Sequence, residues 1–178
     1  MIPQKTIISY PLTLDTAQSY IKRHFNYEMS ETLDDEYVGQ LLKVASAFVK
    51  GKINGDVCKT KNVLEIKDFT GDEIIINEPN FIDSSTQIIN LDASTVITEY
   101  DIWTKYTQFK IELESPISSK TDLEVTYYTG FDQNSVPEDI KHAILMKSSQ
   151  LFADRDGLTY NIKENEAIDT LLNPHKNY

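Results

Sequence analysis

The chain has 178 residues, 40% hydrophobic and 25% charged, with 28 acidic against 17 basic side chains and a net charge of −11. That length suits one domain, or one domain with an insertion, around a real core. The acidic balance argues against tight wrapping of nucleic acid, which needs Lys and Arg against phosphates.

The single cysteine, Cys58, excludes an internal disulfide framework and fits a reducing compartment. No apolar run reaches the length of a membrane span, so no membrane is expected as a partner. The opening MIPQKTIISYPL lacks the basic start and long apolar core of a secretory leader.

In chain order, Thr13 is placed to cap a helix over about Leu14–Phe25, with Asp15 in its first turn and Ala17, Ile21 and Phe25 at helical spacing. A second helix is predicted over about Asp34–Lys50. Tyr37, Val38, Leu41, Leu42, Ala45, Phe48 and Val49 form its apolar stripe. Asp34, Asp35 and Glu36 start it and Lys50 and Lys52 end it, both favourable to the helix dipole, and Gly51 is the expected terminator.

From Asn54 to Tyr128 the pattern becomes β. NVLEIKDF, DEIIIN, TQIIN, TVITEYDIW, TQFKIEL and LEVTYY are rich in β-branched and aromatic residues. Turns are expected at 70–72, 78–80, 83–85, 92–94 and 114–116. Leu123, Val125 and Tyr127 alternate with polar partners, and Gly130 and the polar run 132–135 lead out of the sheet. Pro137, Glu138 and Asp139 then mark a helix start, running to about Asp154 with Ile140, Ala143, Ile144 and Leu151 inward. A last helix is expected over Glu164–Leu172, stopped by Asn173-Pro174.

Helices flanking a β segment predict an α+β fold. The expected division is a small helical bundle from 1–53 and 129–178, with an antiparallel β insertion, 54–128, in the middle. Leu41, Leu42, Phe48, Ile140 and Ile144 are the expected helical core.

Catalytic chemistry finds little support. Paired carboxylates would need one raised pKa across a cleft, and an acidic β stretch is usually a solvated face. Asp154-Arg155-Asp156-Gly157 misses the calcium-loop spacing, so Gly157 reads as a helix cap. His24, His142 and His175 lack metal-ligand spacing, and His24 and His142 are expected to be partly buried. Cys58 has no neighbouring His or second Cys, and GKINGD is not a phosphate loop. No enzyme activity, metal site or cofactor is expected. Tyr100, Trp103, Tyr106, Tyr127 and Tyr128 could form a sugar- or protein-binding face, although strands favour aromatics anyway.

Four segments, in order along the chain, resemble one family. LEVTYYTGFDQNSVPEDIKHAIL follows a pattern V-T-Y-x-x-G-[FY], a polar loop and V-P-E-D-I-K-x-A-I-L, before a helix closing on Asp154-Arg155. PLTLDTAQSYIKRHF and DDEYVGQLLKVASAFVKGKIN are similar to that family's first two helices, and AIDTLLNPHKNY to its end. The resemblance, over roughly residues 10–55 and 121–178, is to the head–tail connector (adaptor, or head-completion) proteins of tailed double-stranded DNA phages. The middle of this chain is longer than the family's β element.

The resemblance implies a structural protein of the virion neck, present in the host cytoplasm during assembly. It implies a cyclic homo-oligomer, twelvefold on the portal, joining portal to stopper or tail-completion protein. It also implies a ring lining a conduit through which DNA passes without specific binding during ejection. The portal-contact candidates it implies are Leu171, Leu172, Asn173, Pro174, His175, Lys176 and Tyr178, an exposed tail that either orders on docking or is a disordered end.

Between Leu64 and Asp101 nine carboxylates face one base, Lys67, giving −8. Asp72, Glu73 and Glu78 are the candidates to keep a DNA channel repulsive to phosphates, or else they solvate an outer rim. The alternative reading from another class is a stand-alone carbohydrate- or protein-binding β module.

Overall fold

In the computed structural model the described residues are 2–105, 107–154 and 166–177, with backbone alone for 83–85. The elements are β1 (Gln4–Ser9), α1 (Leu14–His24), α2 (Asp35–Ile53), β2 (Lys59–Ile76), β3 (Phe81–Asn90), β4 (Thr95–Ile97), β5 (Tyr100–Lys105), β6 (Gln108–Thr129), α3 (Glu138–Asp154) and α4 (Glu166–Leu172). A 3-10 turn over Asn173–His175 closes the described chain. The fold is α+β, with helices on both sides of an antiparallel sheet in sequence. No described helix is long and apolar enough to cross a membrane.

Local chemistry sets the helix starts. The Thr13 hydroxyl accepts from the Thr16 N–H at 3.2 Å, and the Asp34 carboxylate from the Tyr37 N–H at 3.0 Å, each satisfying an orphan donor of the first turn. Ahead of α3, the Asp132 carboxylate accepts from the Asn134 and Ser135 N–H groups, both at 2.9 Å. Those backbone bonds hold its pKa below the ordinary carboxylate value. Gly51 does not end α2. The helix runs one turn-fraction further to bury Ile53 completely, and Asn54 then takes the left-handed cap at φ 52°.

Ala17 and Ile21, the α2 residues Val38, Leu41, Leu42, Ala45, Val49 and Ile53, the α3 residues Ile140, Ala143, Ile144 and Phe152, and Ile168 and Leu172 form one buried apolar cluster. Phe48 packs half-buried at its edge, beneath the ammonium groups of Lys52 and Lys147, 5.5 and 4.6 Å from the ring centroid.

The sheet has the order β1-β2-β6-β3-β4, with β5 also paired to β6, and every pairing is antiparallel. Four of the expected strands fuse into two. Residues 70–72 and 114–116 are not turns but bent portions of β2 and β6, where the register shifts between Ile66 and Glu73. Gly71, at φ +108°, supplies a conformation that an L side chain resists, and bulges there bend the ladder without breaking it. Residues 83–85 likewise lie inside β3, while TVITEYDIW divides into β4 and β5. Strand β1 was not evident in the sequence pattern, since its side chains are largely exposed and show no alternation.

The bend folds the β2–β6 ladder over itself. Phe109 lies opposite Ile76, and Phe81 lies opposite Thr129 at the other end of the ladder, yet their rings stack at 3.9 Å. Tyr127 meets Phe109 edge-on at 5.1 Å. Leu64, Ile66, Ile88, Leu123 and Val125 from one half and Ile74, Ile76, Ile111 and Leu113 from the other close a second buried cluster. Tyr127 is therefore core, not surface. At the sheet's exit, Gly130 has φ +89° and packs so tightly that a Cβ would lie 2.1 Å from the Cys58 carbonyl oxygen.

Phe109→Ala removes the ring shared by both halves of the folded ladder. It should cost about 3–5 kcal/mol in denaturant unfolding, the usual scale for truncating a fully buried Phe. A loss under about 1 kcal/mol would show that the halves do not depend on that stack.

Candidate functional site

Between the two apolar clusters lies a polar junction centred on Asp56, whose side chain is only 2% exposed. Its carboxylate accepts from Lys50 at 2.6 Å, Lys5 at 3.0 Å and the Thr129 hydroxyl at 2.6 Å. Lys5 also reaches Glu78 at 2.9 Å, and the Asn80 amide donates to the Asp56 backbone carbonyl at 3.1 Å. One carboxylate thus joins the end of α2, β1, the end of β6 and the β2–β3 connection. Burial pushes the Asp56 pKa up, but the bonds from Lys50, Thr129 and Lys5 outweigh it, and the carboxyl is held below its ordinary value. For Lys5, burial pulls the pKa down, while Glu78 and Asp56 more than offset it and leave it raised.

Above this junction, β1 and α2 border a groove of about 330 Å³. Ile7, Tyr10 and Ala47 supply its apolar lining, and Lys5, Lys43 and Lys50 supply ammonium groups. A shallower hollow of about 380 Å³ lies along α1, lined by Asp15, Ser19, Tyr20 and Arg23 with Leu145 of α3. Neither offers nucleophile chemistry. Cys58, in the groove lining, is buried, and desolvation pushes its thiol up to about 11, so the thiolate is scarce at neutral pH. A general acid needs a carboxyl with a raised pKa, and Asp56 is held the opposite way. Among the described residues no group of three or more His, Cys, Asp or Glu is placed to hold a metal.

His24 and His142 are exposed rather than partly buried. Both sit on Tyr20, His24 stacked at 6.1 Å and His142 edge-on at 5.9 Å, so the ring contact forms on the helix surface. Asp156, Gly157, Arg155 and the start of the last expected helix lie outside the described residues.

The other sequence candidates separate. Asp72 and Glu73 are exposed on β2, with Glu73 bonded by Lys110 at 3.0 Å. Glu78 instead belongs to the Lys5–Asp56 junction. Of the tail, Leu172 is fully buried in the helical cluster and Leu171 packs against it, so Leu172 has no surface to offer a partner. Asn173 and Pro174 are exposed, and His175 and Lys176 are half-buried. The His175 Nε2 lies 3.5 Å from Asp139. Nor is the tail short of internal contacts. The Asn177 N–H donates to the Ile53 carbonyl at 2.9 Å, its amide donates to the same oxygen at 3.1 Å, and Asn54 donates to the Asn177 carbonyl at 3.3 Å. Tyr178 lies outside the described residues.

The aromatic candidates also part company. Tyr100 packs against the sheet core and donates to the Thr86 carbonyl at 2.7 Å, while Trp103 is 60% exposed on the other face of β5. Tyr128 lies under Lys59, 5.8 Å from its ring, and Tyr106 lies outside the described residues. The Asp56 junction was missed in the sequence because NGD after a helix resembles a turn. The adjacent apolar pair Val57-Cys58 was its only signal of burial.

The chain matches no protein-family model and no curated protein sequence. Its fold has solved counterparts. A chain from the virion of a native gene transfer agent (GTA) particle aligns at TM-score 0.72 and 12% identity, covering 100% of this chain and 96% of that one. A chain from the neck of the empty GTA particle, computed with C6 symmetry, aligns at 0.67 and 13% identity, covering 98% and 96%. A chain from the neck of the native GTA particle, computed with C12 symmetry, aligns at 0.67 and 14% identity, covering 100% and 96%. At such identities the likeness establishes a shared fold, and it extends from end to end of both chains.

Asp56→Asn keeps the side chain's shape but removes the charge that Lys50 and Lys5 share, leaving Lys5 only Glu78. It should destabilise the protein by roughly 3 kcal/mol at neutral pH, the lower end for breaking a buried pair, since both lysines retain water. A carboxyl with a depressed folded pKa stabilises above its unfolded value of about 3.9 and loses that contribution as pH falls through the folded value. The gap between wild type and Asp56→Asn should therefore narrow below pH ~4 in denaturant titrations. A gap constant from pH 7 to pH 2 would contradict the assignment.

Proposed function

We propose that this chain is a structural neck protein of a tailed-phage-like particle, an adaptor that rings the portal vertex and links it to the stopper or tail. The observation that carries this reading is the end-to-end fold match to GTA virion and neck chains, with 96% of each counterpart covered. It is supported by the order of the adaptor-like segments along the sequence. The particle necks were computed with sixfold and twelvefold symmetry, which suits a cyclic assembly of copies around a DNA conduit. On this reading the chain works by assembly and recognition, not catalysis, and it acts in the virion.

Docking on the portal would use the tail's outer side, Asn173, Pro174, His175 and Lys176. Leu172 serves instead to anchor that turn on the bundle. For the channel, Asp72 remains the carboxylate of choice, because Glu73 and Glu78 are each bonded to a lysine. A net acidic surface would let phosphates pass without sticking.

Binding of the purified protein to isolated portal rings, read by the mass of the complex, tests the reading. Saturation at one copy per portal subunit is expected, and Pro174→Glu with Lys176→Glu should weaken it at least tenfold without changing thermal stability. No binding by a folded wild-type chain would refute the adaptor role. Asp72→Lys should slow DNA release from assembled particles, and unchanged release would place Asp72 outside the channel.

A further inference from the structure

Trp103 is the only tryptophan of the chain, and it is 60% exposed. Register places it opposite Lys110 of β6, and Lys110 opposite Ile75 of β2, itself 58% exposed. Two residues along, on the same outward face, Asp101, Glu112 and Glu73 stand side by side across the three strands. Lys110 bonds Glu73 and Glu112, both at 3.0 Å. Like charges directly opposite in a sheet are destabilising, and an exposed indole forfeits the burial that makes it an interface anchor. This face sets Trp103 and Ile75 on either side of Lys110, beside three carboxylates.

The groove between β1 and α2 has the complementary character. Its apolar part includes Ile7, 53% exposed on a strand that pairs only with β2, and its cavity of about 330 Å³ has room for an indole ring. Lys5 and Lys50 lean onto Asp56 beneath it, and Lys43 is exposed at its border. A tryptophan entering there would gain apolar contact and meet ammonium groups across its ring face. The carboxylates beside it would meet the same positive edge.

We infer that the occupant of this groove is a second copy of the chain, inserting Trp103 with Asp101 and Glu112 toward Lys43. The inference rests on the ring reading and specifies how the ring closes. The two surfaces share no residue, so each copy can give one and receive one. Such a heterologous contact closes into a ring when its rotation permits.

The test uses the full chain assembled on portal rings under mild oxidation. In a Cys58→Ala background, Lys43→Cys with Asp101→Cys in one chain should give a ladder of covalent multimers on a non-reducing gel, while either substitution alone gives at most a dimer. Lys43→Glu and Asp101→Lys should each reduce ring formation at least tenfold, and their combination should restore it. Trp103→Ser, at an exposed position, should reduce it without lowering thermal stability. Rings of the double-cysteine chain that yield no ladder, or rings that tolerate Lys43→Glu and Trp103→Ser unchanged, overturn this contact and leave the ring reading intact. A wild-type chain that binds no portal overturns both.

Discussion

The Asp56 carboxylate is the point on which the two halves of this molecule depend. An ionised group with almost no exposure survives only where its charge is answered, and here two ammonium groups and a hydroxyl answer it. Those partners come from β1, α2 and β6, and Lys5 brings in Glu78 from the β2–β3 connection. Apolar packing alone would let the helical cluster and the sheet cluster slide, because burial is not directional. A fixed set of charged hydrogen bonds gives their junction one geometry.

The second constraint is the bend in the β2–β6 ladder. A flat two-strand ladder of this length would expose its apolar face. Bulges around Gly71 fold it back, and Phe109 fills the space between Phe81 and Tyr127. Folding back also turns Ile75, Trp103 and their neighbouring carboxylates outward as one face. The acidic surface and the closed β core are two sides of the same alternation along β2, β5 and β6.

Helices were legible because their signals are local. Caps at Thr13 and Asp34, the Pro137-Glu138-Asp139 start and the apolar stripe of α2 all act within a turn or two. The α+β class followed from the change of period near Asn54. Non-local features were not legible. Gly71 and Pro116 look like turn residues, and only pairing across the ladder makes them bends inside long strands. Strand β1 has no alternation to read, since β2 alone gives it a place. Glu78 looked like one more solvated carboxylate, and its partner Lys5 lies 73 residues away in sequence. The tail looked free because nothing local shows Asn177 bonding back to Ile53. Tyr100 and Trp103 are neighbours in sequence only, as strand alternation sends Tyr100 inward and Trp103 outward.

The role proposed for this fold, which is shared end to end with chains of GTA particles, is a closed ring at the head–tail junction. Electron cryomicroscopy of the particle that carries this chain tests it most directly. The account predicts density matching the bundle and folded β ladder as a ring between portal and tail, with the Asn173–Lys176 side against the portal. A neck without this chain, or a chain found only as an isolated copy elsewhere on the particle, would contradict it.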